Sequence, residues 1–436
     1  MTSPQRFERD LPILLEELYV GRAPDYRDDL VGRIGRTRQR PAWAFPGRWL
    51  HMDLTTERVP VAHMPWRAIG LVALVALLLA ASLAVYIGSQ PRLPDPFGLA
   101  SNGEVAYSTD GDIYTADPVT GVATALVSGP ERDLGPRFSR DGTTIAFERR
   151  LDDGTSQIYR VDADGGGLTL LTPEPMTLTP SQGGEPAEQF QFSPDGRTMV
   201  ITALDGAMPT ILIAQADGSG VRTLDLGMPA YEPSFRPSDP TEVLFIGRGA
   251  GGNGGIFAVD LASGVLRIIV QPVPFYDVSG VEWSPDGSSI AYWTWGGPVD
   301  TGAINPKSHV IAADGTGDIT LPDPPGAMWN AGSAWSSDGS KLVILRGYGP
   351  LYEDVRAVVI PSDGGSTGIE IPYDGVINGE CCAVFEWAPD DSKILVTPSD
   401  IGGAPLQQVI IDPRTGVSVT APWTTTSDPT WQRTAD

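Results

Sequence analysis

A few residue groups in this 436-residue chain have types and spacings that could do chemistry. Gly364-Gly-Ser-Thr-Gly368 has the Gly-x-Ser-x-Gly spacing of a serine nucleophile turn. Such a turn needs a strand before it, a helix after it and a later histidine. No histidine follows it, and its flanks read as a hairpin, so turn chemistry explains it better. Asp162-Ala-Asp-Gly165 opens like a calcium loop but lacks the terminal Glu. His309 is the only histidine beyond residue 63, so any His-based triad must use it. Cys381 and Cys382 are the only cysteines. They could form a strained vicinal disulfide or stand as two thiols, and they exclude a disulfide framework or a cysteine-rich zinc site. Carboxylates are too numerous to single out a glycosidase acid and nucleophile. No metal site and no cofactor motif is found, and the chain is expected not to be an enzyme.

A second group suits recognition: Glu174, Glu188, Tyr231, Glu232, Tyr276, Asp277, Asp300, Trp329, Tyr348, Tyr352, Asp354 and Glu380. Aromatic rings mixed with carboxylates fit a sugar, a cation or a basic peptide. All lie in or beside the longer connections of a repeating pattern, and the repeat must position them.

The pattern is an aromatic, a polar pair, Asp-Gly, then an apolar strand. It appears as Phe138-Ser-Arg-Asp-Gly142, Phe192-Ser-Pro-Asp-Gly196, Trp283-Ser-Pro-Asp-Gly287 and Trp335-Ser-Ser-Asp-Gly339. Variants begin at Phe235 and Trp387, and a truncated copy ends on Trp431. A second pattern interleaves with it: a short apolar strand, then an Asp- and Gly-rich turn, as in Ile158-Tyr-Arg-Val-Asp162. Asp bonds the backbone two residues on and Gly takes positive φ, so each copy predicts a hairpin. Two hairpins per unit make a four-stranded propeller blade. The prediction is a mainly β chain with a seven-bladed β-propeller. One inner strand around Trp431 and three strands from Val105 to Val127 would close the ring. Six blades is the alternative, if the Phe235 unit is degenerate.

These copies resemble the TolB-like propeller repeat, with its aromatic, Ser-Pro-Asp-Gly and short apolar strand. The resemblance spans residues 101–435. It implies the fold, and such propellers serve scaffolding, binding and enzyme roles alike.

Charge divides the chain. Residues 1–67 carry 11 Arg and 9 acids, a net of +2, whereas residues 89–436 carry −26. A segment that acidic repels phosphate, so nucleic acid is excluded as its partner. Between them, residues 68–88 are uncharged and read as a single transmembrane helix. Flanking arginines then predict a cell-membrane protein with residues 1–67 cytoplasmic, 89–100 a tether, and 101–436 an extracytoplasmic propeller.

The N-terminal segment reads as small and α-helical. Leu11 and Leu15 fall at helix spacing, as do Tyr26, Leu30 and Ile34, and Trp43 and Trp49 follow in a Pro-rich stretch. These are the candidate partner-binding residues. The layout is similar to that of anti-sigma factors, which implies a sigma factor as a cytoplasmic partner. The expected function is a propeller that binds a ligand or envelope protein and signals inward. A propeller hydrolase or lyase, or a structural envelope scaffold, is the alternative.

Overall fold

The structure, a computed structural model, describes residues 70–79, 97–178, 190–249, 252–296, 306–349, 354–371, 383–398 and 406–435. The chain divides into two units, Met1–Ser89 and Gln90–Asp436.

In the first unit the described residues form one helix, α1, over residues 70–79, with exposed side chains. This corrects the expectation of a transmembrane helix over 68–88, of which residues 70–79 are the described part; the N-terminal segment 1–67, expected to be small and α-helical, lies outside the described residues. At about 1.5 Å per residue, α1 is roughly half as long as a hydrocarbon core is thick. Among the described residues no helix is long and apolar enough to cross a membrane. Leu11, Leu15, Tyr26, Leu30, Ile34, Trp43 and Trp49 lie outside the described residues.

The second unit is a ring of seven four-stranded antiparallel sheets. Blade 1 contains β1 (Ser101–Thr109), β2 (Asp112–Ala116) and β3 (Ala123–Val127). Blade 2 is β4 (Arg132–Phe138), β5 (Thr144–Arg150), β6 (Ser156–Asp162) and β7 (Thr169–Leu170). Blade 3 is β8 (Phe190–Phe192), β9 (Thr198–Asp205), β10 (Met208–Gln215) and β11 (Val221–Leu224). Blade 4 is β12 (Ala230–Arg236), β13 (Asp239–Arg248), β14 (Gly254–Asp260) and β15 (Leu266–Val270). Blade 5 is β16 (Tyr276–Trp283), β17 (Ser289–Gly296), β18 (Lys307–Ala312) and β19 (Ile319–Thr320). Blade 6 is β20 (Trp329–Trp335), β21 (Lys341–Gly347), β22 (Val355–Pro361) and β23 (Ile369–Glu370). Blade 7 is β24 (Ala383–Trp387), β25 (Ile394–Pro398), β26 (Leu406–Ile411) and β27 (Ser418–Thr425). The last strand, β28 (Thr430–Thr434), returns to pair with β1 and completes blade 1 in the order β28-β1-β2-β3. The Phe235 unit builds a full blade, so the ring has seven blades and not six. Blades touch through their first strands, which therefore line the centre.

The repeated residues explain the repeated geometry. In the first turn of blade 2, the Ser139 hydroxyl donates to Asp141 at 2.6 Å, and Asp141 accepts the Thr143 N–H at 3.1 Å. Gly142 takes φ +69° to close the turn. The same Ser–Asp bond recurs at Ser193, Ser284 and Ser336. Each inner-strand aromatic wedges against the preceding blade. The Trp283, Trp335 and Trp387 indoles donate to the carbonyls of Ser234, Glu282 and Ala334 at 3.1–3.4 Å. Core clusters form between blades, as where Leu244 and Ile256 of blade 4 meet Trp283 and Ile290 of blade 5. Burial of such apolar faces stabilises the ring by about 25 cal/mol per Å².

Two copies depart from the Asp-Gly rule, those of Phe235 and Trp387. Asp391 takes the glycine place at φ +59° and accepts the backbone N–H groups of Ser337 and Asp338 in the blade 6 turn. Asp391→Ala is expected to cost about 1–3 kcal/mol, because two donors lose their acceptor. Asp391→Asn keeps an acceptor for one of the two N–H groups but sets a donor against the other, so it should recover only part of that loss. Thermal denaturation of the two variants checks this.

Candidate functional site

Strand order sorts the connections onto two faces. First and third turns of each blade share one face, and second turns and inter-blade connections share the other. The repeat's own Asp-Gly turns belong to the first set, and further short Asp-Gly turns fall in the second. Asp110-Gly111, Asp153-Gly154 and Asp205-Gly206 fall in second turns, so blades 1–3 are trimmed on the second face too. Longer second turns belong to blades 5–7.

On that face the structure brings Tyr231, Glu232, Tyr276 and Asp277 together at the junction of blades 4 and 5. Asp277 accepts the Gly254 N–H at 3.0 Å and pairs with Arg248 at 2.6 Å. The Arg248 guanidinium lies over the Tyr231 ring, 5.3 Å from its centroid. Glu232 has a largely structural place. β4, β12, β16 and β20 each bulge with a left-handed residue three positions before the aromatic: Gly135, Glu232, Gly280 and Gly332. Glu232 is the non-glycine among them, at φ +48°, and its carboxylate accepts the Gly280 N–H at 3.0 Å.

A second group sits on blade 6. Trp329 is buried, and its indole donates to the Gly349 carbonyl at 3.4 Å. Tyr348 donates to Glu370, and Arg356 covers its ring at 4.5 Å while pairing with Asp354 and Glu370. Burial, together with the Glu370 carboxylate, pushes the Tyr348 phenol up. Bonds from Tyr348 and Arg356 hold Glu370 below the usual carboxylate range. Glu174 stands apart, exposed on the connection from blade 2 to blade 3. Glu188, Asp300, Tyr352 and Glu380 lie outside the described residues, as do Cys381 and Cys382.

The sequence reading missed Phe275. It is 61% exposed and holds φ +71°. That backbone region is costly for a bulky L-residue, on the order of 1–3 kcal/mol. Pro272 and Pro274 stiffen the connection leading to it, and Val273 and Tyr276 beside it are also exposed. Two glycines let the connection sit close. A Cβ on Gly255 would meet the Pro272 ring at 2.8 Å, and one on Gly296 would collide with the Phe275 carbonyl. The result is a rigid, exposed aromatic step beside the Tyr231–Arg248–Asp277 group. Its readable signal was Pro272-Val-Pro-Phe-Tyr276, two prolines ahead of paired aromatics.

The other sequence motifs resolve as structure. Gly364-Gly-Ser-Thr-Gly368 joins β22 to β23 as a hairpin turn, with the Gly364 N–H bonded to the Pro361 carbonyl at 3.1 Å. His309 stacks on Tyr292 at 4.8 Å and lies 3.4 Å from Asp318. Burial pushes the Tyr292 phenol up, and its bond to Asp318 adds to that. Among the described residues no three His, Cys, Asp or Glu side chains gather closely enough to hold a metal ion.

No family model matches the chain. An uncharacterized protein of Agrobacterium fabrum is 41% identical over 61 residues, which are 14% of this chain and 20% of that protein. The chain thus spans about a fifth of the length of that curated relative. Among solved structures, an oligogalacturonate lyase from Vibrio parahaemolyticus is similar at TM-score 0.52 and 16% identity, over 73% of this chain and 90% of its own. An oligogalacturonate lyase in complex with manganese is similar at TM-score 0.51 and 17% identity, over 69% and 83%. TolB from Acinetobacter baumannii matches at TM-score 0.43 and 16% identity, over 78% and 68%. At such identities the likeness shows the fold alone. It does correct the expectation that the chain is not an enzyme. Rings of this fold include lyases, so the lack of a recognised motif does not set this chain apart from enzymes. What the repeats and the ring establish is a seven-bladed β-propeller.

Proposed function

We propose that the propeller binds a sugar chain on the long-loop face, at the junction of blades 4 and 5. The carrying observation is Phe275, an exposed ring held at φ +71°. Fixed rings offer flat apolar area at low entropic cost, and strained exposed residues mark binding sites more often than packing sites. Tyr276 widens the step, and Asp277 and Arg248 beside it supply an acceptor and donors of the kind that fix hydroxyls.

A reaction at this face is the second reading, supported by the lyases among the similar structures. Calorimetric titration of the protein with neutral, acidic and basic oligosaccharides tests both readings. Binding of one class is expected, with Tyr276→Ala weakening it by about tenfold, or ~1.4 kcal/mol. Appearance of an unsaturated product during the titration would identify a lyase. No binding by any class would sink the sugar reading.

A further inference from the structure

The charged groups around the aromatic step are spent on one another. One carboxylate oxygen of Asp277 accepts the backbone N–H groups of Gly254 and Val278, each at 3.0 Å. The other pairs with Arg248 at 2.6 Å, and the two side chains are only 13% and 24% exposed. Arg248 lies over the Tyr231 ring, and a second guanidinium nitrogen donates to the Gly252 carbonyl at 3.5 Å. Glu232 accepts the Gly280 N–H of the neighbouring blade. The two connections that meet here, 249–253 and 271–276, contain no charged residue. Lys307, which opens β18 on the same face, is paired with Asp323.

We infer, on the sugar reading above, that the junction of blades 4 and 5 takes a neutral sugar chain and rejects chains of uronates or amino sugars. A sugar carboxylate needs a cation whose charge is not already met, and Asp277 meets the charge of Arg248. Taking Arg248 away would strand the Asp277 carboxylate in a mostly buried place, which costs more than a new exposed pair returns. A sugar ammonium meets the same obstacle at Asp277, whose oxygens already hold two N–H groups and a guanidinium. Hydroxyls ask for less. Each can share a remaining lone pair of Asp277 or an N–H of Arg248 without separating the two. The C–H face of a neutral sugar ring can meanwhile lie on Phe275 and Tyr276, both exposed.

The field of the whole propeller acts on the charged chains alone. Residues 89–436 carry −26, which repels an acidic chain and draws in a basic one. That attraction is diffuse, and salt screens it over about 8 Å at physiological ionic strength.

Calorimetric titration of the whole protein tests the class. The probes are neutral oligosaccharides of glucose, of galactose and of mannose, beside oligomers of galacturonate and of glucosamine. One neutral chain is expected to bind at least about tenfold more tightly than either charged chain, with the same affinity in about 0.05 M and about 0.5 M NaCl. Asp277→Asn leaves Arg248 without its counter-charge. In that variant galacturonate binding is expected to rise at least about tenfold and to fall back at the higher salt. A charged chain that binds wild-type protein within about tenfold of the best neutral chain at the higher salt would overturn the neutral class and keep the sugar reading. Galacturonate affinity unchanged in Asp277→Asn would also overturn it. Failure of every probe to bind would instead remove the sugar reading, and the class with it. The wild-type series decides the matter even if the variant does not fold.

Discussion

Trp431→Ala is expected to destabilise the propeller by about 3–5 kcal/mol, the range for removing a large buried aromatic. Trp431 is 5% exposed and packs with Val105, Tyr107, Leu395, Ala421 and Trp423, drawn from blades 1 and 7. Its position makes the loss matter more than the same loss elsewhere. Trp335→Ala would open a cavity of the same origin, but its blade is continuous in sequence on both sides. At Trp431 the cavity opens beside the strand that joins the two ends of the ring. Once β28 leaves, β1 becomes a free edge, open to pairing with other chains. Urea unfolding should show the lowered midpoint, and light scattering near that midpoint should show association. A loss below about 1 kcal/mol would mean that β1 and the other blades hold the ring without β28.

Phe275→Gly should move stability and binding in opposite directions. Glycine adopts φ +71° without strain, so the strain of on the order of 1–3 kcal/mol is released. Part of the gain returns as the larger entropy of a glycine in the unfolded chain, leaving about 1 kcal/mol. Because the ring is 61% exposed, little packing is lost with it. Binding on the long-loop face should weaken by at least about tenfold. Phe275→Leu separates the two effects, since it keeps the strained backbone and removes the flat ring. It should weaken binding without gaining stability. Unchanged binding in both variants would remove Phe275 from the site, and a less stable glycine variant would show that its backbone is not strained.

The contrast between Trp431 and Phe275 shows how differently fold and site are written. Trp431 was legible because a repeat repeats. The same aromatic, turn and strand recur, so the truncated copy could be recognised as the missing inner strand, and seven blades followed. The turn carboxylates were legible for the same reason, since Ser–Asp–Gly chemistry is local to a few residues. Phe275 belongs to no repeat. Its exposure and its φ depend on two prolines, on Gly255 and on Gly296 from the neighbouring strands. The candidate carboxylates divide likewise. Asp277 and Glu232 come together with Arg248 and Gly280 through blade-to-blade packing, whereas Glu174 stands on another junction.

The sequence by itself determined the four-stranded repeat, the closure by β28 and the acid-rich turns, and the structure chose seven blades over six. Those properties arise from local hydrogen bonds and from alternation along single strands, which repeat with the residues that make them. Only the tertiary structure decided the assignment of short turns to both faces, the aromatic step at Phe275 and the grouping of Tyr231, Arg248 and Asp277. Each of those rests on the distance between residues far apart in the chain.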